Sequence, residues 1–404
     1  MTMEAGKPPR DLLGMWCGAV LILGAVLTPL LAWLGPLGFA ALLALMGLLS
    51  LPALRLRALD RPVAIALLAG LLWAGASTIW TVHQPKNPED SQALKLALEL
   101  PLYWAAVCGA RRADPRLARL ALLVVAWGLA LMGLMLLVEA WLGAGVYRWL
   151  HERFYEPIRP DLAGKNLGQS TFVLALLWPL AAVGGRRAGA SGWLAVPMVL
   201  GAAIGAVTFN ADAPAIAVAL AVLVGLAAIR WPVGAPRTLG GMAGALFLAM
   251  PAVVLGVRAA LEALKVTIDL PLSWSMRIGY WNRAVDWTAE HPLRGWGLDA
   301  SRAFSPGIQL HPHNGPLQVW LELGAAGALI AAAFWWLALS SLARPRSNVV
   351  AAATTATAAV YLLFACVNFG VWQEWWLALG ALAVVLGATV ARLPPARPST
   401  SAPI

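Results

Sequence analysis

Residues 311–327, which read HPHNGPLQVWLELGAAG, hold the side chains best placed for chemistry. The stretch joins a polar loop to an apolar helix, and Pro316 suits the first helical turn because its missing N–H costs nothing there. Asn314 suits the N-cap, since its side-chain oxygen can accept a backbone N–H that has no partner within the helix. This pattern places His313 beside the positive end of a helix dipole, where it could move a proton next to a bound anion.

Three kinds of role are open for His313. His311 and His313 have the spacing of two zinc ligands on a strand, but no Asp or Glu lies at a matching spacing, so we predict no metal and no cofactor. A proton-transferring role is favoured, because an unperturbed imidazole titrates near neutral pH. The plainer alternative is a histidine that only caps the helix or meets lipid headgroups.

Three polar side chains form one stripe on the helix that follows His313. Asn314, Gln318 and Glu322 stand at positions i, i+4 and i+8. Such groups are costly inside a membrane span unless they face protein or water, so we expect the stripe to face the bundle interior and to help bind substrate. Glu322 could instead pair with a backbone group or an arginine for packing alone. Gly324 and Gly327 predict the close approach of a neighbouring helix.

Basic residues elsewhere in the polar loops could hold a phosphate group. Arg277 is the first candidate, because it stands on a predicted loop helix and a guanidinium can donate two parallel hydrogen bonds to phosphate oxygens. Lys165, Arg159 and Arg283 are further candidates for substrate binding. For each of these residues, pairing with lipid headgroups at the membrane surface is the alternative.

The composition predicts an all-α polytopic membrane protein. Of 404 residues, 60% are hydrophobic and 12% are charged, whereas soluble domains carry about 25% charged residues. Apolar runs near the roughly 20 residues needed to cross the hydrocarbon core recur about twelve times. The predicted spans are 12–34, 36–54, 62–80, 94–110, 116–140, 167–184, 192–210, 214–230, 238–262, 315–339, 350–371 and 373–391.

The basic residues predict the orientation of these spans. The formal net charge is +10, and most arginines fall in one set of alternate connections. Because positive residues favour the cytoplasmic side, we predict that both termini are cytoplasmic and that the opposite loops are periplasmic. Topology therefore accounts for the charge, and no nucleic-acid partner is predicted.

We predict one transmembrane domain over residues 1–404, with a cytoplasmic tail at 392–404 and a large periplasmic loop at 263–313, before the tenth span. A loop of that length is usually functional. Within it, residues 275–290 predict an amphipathic helix with Ile278, Trp281, Val285 and Ala289 on its apolar face. Residues 292–297, PLRGWG, predict a turn.

Two short patterns resemble the O-antigen ligase family, within the larger group of lipid-linked polysaccharide ligases and polymerases. The family signature is His, then Asn, Ser or Gln, nine residues, Gly, two residues, then Gly, Thr or Tyr. His313, Asn314, Gly324 and Gly327 follow it. The run from Ser275 to Trp281 and the PLRGWG turn are similar to the family's lead into that motif. Many members carry Ser-Arg where this chain has residues 210–212, Asn-Ala-Asp, so Lys165 or Arg159 would have to supply that charge.

The resemblance implies a metal-independent glycosyltransferase of the GT-C type at the periplasmic face of a bacterial inner membrane. Its implied donor is a glycan on undecaprenyl diphosphate, its acceptor is lipid A-core, and membrane lipids surround it. His313 and Arg277 would be the catalytic pair. Three alternatives stay open: an O-antigen polymerase or a protein O-oligosaccharyltransferase using the same donor, and, from another class, a lipid-linked glycan flippase or transporter.

Overall fold

The structure is a computed structural model that describes residues 11–265 and 270–394. This part of the chain forms α-helices and short 3₁₀ turns and contains no strand, which confirms the all-α prediction. The predicted tail, 392–404, lies mostly outside the described residues, as do residues 266–269 of the predicted periplasmic loop. The helices are α1 (Leu12–Leu34), α2 (Phe39–Ser50), α3 (Arg61–Ser77), α4 (Gln92–Arg112), α5 (Pro115–Leu142), α6 (Gly145–Phe154), α7 (Pro160–Ala188), α8 (Ala195–Thr208), α9 (Asp212–Arg230), α10 (Gly234–Leu264), α11 (Leu272–Glu290), α12 (Gly315–Ser340), α13 (Val349–Val367) and α14 (Glu374–Arg392).

Within the described ranges, eleven helices are long and apolar enough to cross a membrane, against the twelve spans predicted. The difference lies at predicted span 192–210. There α8 and the 3₁₀ turn before it form a shorter apolar helix, Gly192–Thr208. The other eleven predicted spans each correspond to one helix, so the chain is a polytopic membrane protein.

The hydrophobic core is centred on α7. This helix packs against α5, α8, α13 and α14, and most of its apolar length is buried inside the protein. Its Phe172 ring packs edge-on against Phe364 and Phe369. A second group of helices surrounds α12, which packs against α10, α3 and α11. The polar residues discussed below lie in this second group, at the start of α12.

The basic residues of the predicted inner connections meet at one end of the bundle. Arg111 pairs with Asp60 across two connections, and Arg392 donates to the carbonyl of Ala113. Residues 311–313, the histidine loop, precede α12 and lie beside the residues that join α13 to α14, where Asn368 is found. The predicted inner connections thus meet at one end of the bundle, and the histidine loop meets another predicted outer connection, as the predicted order of the spans requires. Which end faces the cytoplasm stays a prediction.

The predicted loop helix is confirmed as α11, and three of the four residues on its predicted apolar face are covered: Val285 is buried, and Ile278 and Trp281 are half-buried. The buried side chains are Tyr280, Ala284, Val285 and Thr288, whereas Ala289 is exposed. The prediction for Ala289 is wrong because α11 turns its Tyr280 side toward α10 and α12, and that contact decides which stripe is covered. With this side of α11 facing inward, Tyr280 reaches the histidine loop.

Candidate functional site

His313 lies in the last turn before α12, where the sequence predicts it. Asn314 is the N-cap, and its Oδ1 accepts the N–H of Leu317 at 3.0 Å. The His313 backbone has φ +54°, a left-handed conformation that non-glycine residues rarely adopt. The chain therefore turns sharply at His313, immediately before α12.

One hydrogen bond sets the tautomer of His313. Its Nδ1 lies 2.7 Å from the carbonyl oxygen of Asn368. A carbonyl can only accept, so Nδ1 carries the proton and donates, and the Nε2 of the neutral ring keeps its lone pair. Nε2 is thus the atom able to take a proton.

Two rings flank the imidazole of His313. Tyr280 of α11 stacks on it with ring centroids 6.3 Å apart and an interplanar angle of 19°, and the His311 ring lies 4.2 Å away. Trp281 Nε1 donates to the Pro312 carbonyl at 2.9 Å, which ties α11 to this loop. The ring of His313 is therefore held between α11 and its own loop.

Burial keeps both histidines neutral. Removal from water is the main cause that lowers the pKa of His313; the bond to Asn368 raises that pKa, and the charge of Arg277 lowers it. Burial, then the charges of His313 and Arg302, lower the pKa of His311 to about 3. At neutral pH, His313 is therefore in the form that can accept a proton.

Among the predicted cations, Arg277 is the one whose charge acts on the pKa of His313. It lies on α11 one turn before Tyr280. Its guanidinium sits 5.1 Å from the ring centre of Trp274, and burial lowers its pKa. A half-buried cation beside a base is suited to stabilising negative charge that develops there.

The other predicted cations make contacts elsewhere. Lys165 is exposed in the first turns of α7. Arg159 is exposed and donates through Nε to Asp161 at 3.0 Å, and Arg283 donates to the carbonyl of Gly307 at 2.7 Å. Over the described residues, none of these bonds reaches His313 or Arg277. Their predicted role in substrate binding has no support from these contacts.

The stripe of polar residues on α12 is buried, which confirms that it faces the interior. The carboxylate of Glu322 is 0% exposed and has four hydrogen-bond donors. They are Ser301 Oγ at 2.7 Å, Gln318 Nε2 at 3.0 Å, the Asp299 N–H at 2.8 Å and Trp372 Nε1 at 2.6 Å. Glu322 thus fastens two loops to α12, and this position favours support of the site over contact with substrate.

The polar side-chain atoms of Asn314 and Gln318 also bond within the protein. Gln318 Oε1 accepts the N–H of Val371 at 2.9 Å, while the Asn314 amide nitrogen contacts Met250 Sδ at 3.5 Å. These bonds hold α10, α12 and residues 370–373 together around the histidine loop. A direct role of either side chain in substrate binding stays a prediction.

α12 is broken at Gly324, where φ is 64° and ψ is −163°, a combination open essentially to glycine alone. The 292–297 turn fills the break. The carbonyl of Leu321 accepts the Trp296 N–H at 2.9 Å. The carbonyl of Glu322 accepts the Gly297 N–H at 2.8 Å. The backbone groups freed by the break are thereby bonded within the protein, as a membrane-embedded chain requires.

The spacing of glycines in the two motifs follows from this contact. Gly295 and Gly297 have φ +68° and +96°. A Cβ on Gly295 would lie 2.4 Å from the Glu322 backbone, and one on Gly324 would lie 2.4 Å from the Leu293 carbonyl oxygen. The predicted helix–helix approach at Gly324 is therefore wrong, because the neighbour is the 292–297 turn.

Sequence reasoning missed two residues that hold His313. Tyr280 could have been found, since it stands three positions after Arg277 and so shares its side of α11. Asn368 acts through a backbone carbonyl 55 positions away in the chain, and no local pattern marks it. In the part of the chain that the structure describes, no three His, Cys, Asp or Glu side chains form a group that could hold a metal ion.

Residues 190–332, from the start of the α8 segment to the middle of α12, match the family model described as O-Antigen ligase. The resemblance to the O-antigen ligase family is thereby confirmed. The O-antigen ligase match includes Arg277, His313 and Gly324, whereas Arg159, Lys165 and Asn368 lie outside it.

Curated proteins named as polysaccharide ligases match part of this chain. A protein named "Putative polysaccharide ligase" from Rickettsia conorii is 26% identical over 124 residues, which cover 27% of this chain and 30% of that protein. Proteins of the same name from Rickettsia felis and Rickettsia prowazekii are each 24% identical over 124 residues, covering 27% of this chain and 30% and 31% of theirs. The chain thus spans under a third of the length of these relatives. No solved structure matches it significantly.

Proposed function

We propose that this O-antigen ligase-like protein moves a glycan from undecaprenyl diphosphate to a sugar hydroxyl of lipid A-core. The observation that supports it best is the state of His313. Its Nδ1–H is committed to Asn368, its Nε2 is left basic, and Arg277 stands on α11 one turn before Tyr280, the residue that stacks on the His313 ring. A base beside a cation is what a transfer between a diphosphate and a hydroxyl needs.

In the proposed step, His313 Nε2 takes the proton of the acceptor hydroxyl while its oxygen forms a bond to the anomeric carbon of the donor glycan. The bond from that carbon to the diphosphate oxygen breaks, and undecaprenyl diphosphate leaves with the electron pair. Arg277 and the N-terminal end of α12 offset the negative charge that grows on the leaving group. No metal ion takes part in the proposed step.

We place this reaction at the periplasmic face of the bacterial inner membrane, with both termini in the cytoplasm. The arginine-rich end of the bundle, which includes Arg111, Arg187 and Arg392, supports this orientation because such residues favour the cytoplasm. The histidine loop lies away from that end. Two lipid-anchored substrates could therefore reach it from the surrounding membrane lipids.

The contacts at the break in α12 argue against a transporter. Transporters use broken helices to line a substrate site near the membrane midplane. Here the 292–297 turn donates to the carbonyls freed at Gly324. The break is filled by protein backbone, so it offers no passage for a glycan.

A vesicle assay tests the proposed function. Purified protein is reconstituted with undecaprenyl-diphosphate-linked glycan and lipid A-core in the presence of EDTA, and the product linkage is identified by mass spectrometry. We expect a glycosidic bond to a core sugar. Glycan joined to glycan would indicate a polymerase, glycan joined to protein an oligosaccharyltransferase, and carrier translocation without a new bond a flippase. Loss of transfer with EDTA would contradict metal independence.

The pH profile of transfer should depend on Arg277. His313 acts as a base only when neutral, so activity falls as the pH drops through its lowered pKa. Removing the positive charge in Arg277→Gln takes away one cause of that lowering, and the pKa of His313 rises. We expect the acid limb of the kcat/KM profile to move to higher pH, together with a rate loss of about 10²–10³-fold. Arg153→Gln, on the exposed side of α6, is the control. An unmoved limb in Arg277→Gln would refute the assigned effect of the Arg277 charge on His313.

A further inference from the structure

A cavity of ≈ 370 Å³ opens beside the histidine pair and is not used by the donor chemistry above. Its polar wall includes Asp299, Arg302, His311 and Gln373, and its apolar wall includes Trp375. His311 faces it, whereas His313, Tyr280 and Arg277 do not line it. The volume falls within the roughly 300–1,000 Å³ of ordinary ligand pockets.

The charges in this wall are balanced. Arg302 Nε donates to Asp299 Oδ1 at 2.8 Å. Glu374, which also lines the cavity, pairs with Lys95 Nζ at 2.6 Å. An anion such as a diphosphate would have to compete with Asp299 and Glu374 for these cations. An uncharged ligand with many hydroxyl groups can use the same donors and acceptors without breaking either pair.

The aromatic wall is held in a fixed orientation. Trp372 lines the cavity, and its Nε1 donates to the buried carboxylate of Glu322 at 2.6 Å. Its backbone carbonyl accepts from Gln92 Nε2 at 3.0 Å. A rigid indole next to amide and carboxylate groups suits the apolar face and the hydroxyl edge of a sugar ring.

We propose that this cavity binds the sugar of the acceptor, so that donor diphosphate and acceptor sugar lie on different sides of the His311–His313 pair. The proposal rests on the transferase function proposed above. His311 is a positioning residue here: its Nδ1 accepts the backbone N–H of His313 at 3.2 Å, and its Nε2 lies 3.1 Å from the Gln373 amide. Sugar bound against His311 would thus be held next to the base.

Ala40→Trp tests the proposal because Ala40 of α2 lines the cavity and a tryptophan there would fill it. The matched control is Ala41→Trp, one position along α2, at an exposed site that does not line the cavity. We expect Ala40→Trp to raise the KM for lipid A-core at least about tenfold with the donor KM unchanged. Ala41→Trp should leave both values unchanged. Equal changes in both KM values, or no change, would overturn the proposal.

Binding of a lipid-free core oligosaccharide, measured by calorimetry without donor, separates this proposal from the proposed function. Loss of binding in Ala40→Trp with retention in the parent supports the cavity even if no transfer occurs. Equal binding by the two proteins, or none by the parent, overturns it even if transfer is observed. Leu37→Trp provides a second filling variant if Ala40→Trp does not fold. Leu37 is exposed, lies in the 3₁₀ turn Pro36–Gly38 just before α2, and also lines the cavity.

Discussion

Replacing His313 with asparagine is expected to reduce the rate of glycan transfer by about 10²–10⁴-fold, the usual contribution of a positioned general base. Asparagine tolerates the left-handed backbone found at this position, where φ is +54°. Its amide has no nitrogen lone pair that could take a proton at neutral pH. The variant therefore removes the base while keeping the turn before α12. The measurement is the initial rate of transfer in reconstituted vesicles.

The control for this variant is His151→Asn on α6. Among the described residues, the hydrogen bond of the His151 ring goes to the Glu156 carbonyl of its own segment, and α6 packs against α5 and α7. The His151→Asn variant should transfer glycan at the parent rate. If His313→Asn also kept that rate, with an unchanged thermal unfolding midpoint, His313 would not be the base. Restored transfer in His313→Asn at high pH would still support the assignment, because hydroxide can then replace the imidazole.

Replacing Gly324 with alanine is expected to destabilise the protein by about 3 kcal/mol or more, since backbone strain and a forced shift of neighbouring backbone act together. The backbone angles at Gly324 are open essentially to glycine alone, and the new Cβ would lie 2.4 Å from the carbonyl oxygen of Leu293. Moving the 292–297 turn would then break its bonds to α12. A lower thermal unfolding midpoint in detergent, with a parallel loss of transfer, is the expected result.

Gly256→Ala is the matched control for this effect. Gly256 lies within α10 and is exposed, and a methyl group added there would meet no neighbouring element within 4 Å. Its substitution should leave the unfolding midpoint unchanged or raise it slightly, because alanine favours a helix interior over glycine by roughly 1 kcal/mol. If Gly324→Ala were as stable as Gly256→Ala, the break in α12 would not depend on glycine. The contact with the 292–297 turn would then not explain the spacing of glycines in the two motifs.

The positions of most helices could be predicted because membrane spans are written in local sequence. A span needs a long apolar run, and its ends are marked by residues such as Asn314 that satisfy free backbone groups. At 192–210 the sequence predicts a full-length span, whereas the structure has the shorter helix Gly192–Thr208. An apolar run does not reveal how much of it stays helical. The sequence also predicts that Ala289 lies on the buried face of α11, whereas the packing of α10 and α12 against that helix leaves Ala289 exposed.

The sequence by itself determined that the chain crosses a membrane many times, that His313 precedes a helix, and that its motifs resemble those of O-antigen ligases. Only the tertiary structure decided that Asn368 fixes the tautomer of His313, that Tyr280 stacks on it, and that Gly324 receives a turn and not a helix. The physical reason is the separation along the chain over which each interaction acts. Hydrophobic runs and helix caps act between neighbours in the chain, whereas a proton's position, a filled break and a cavity wall depend on groups that meet only when distant helices pack.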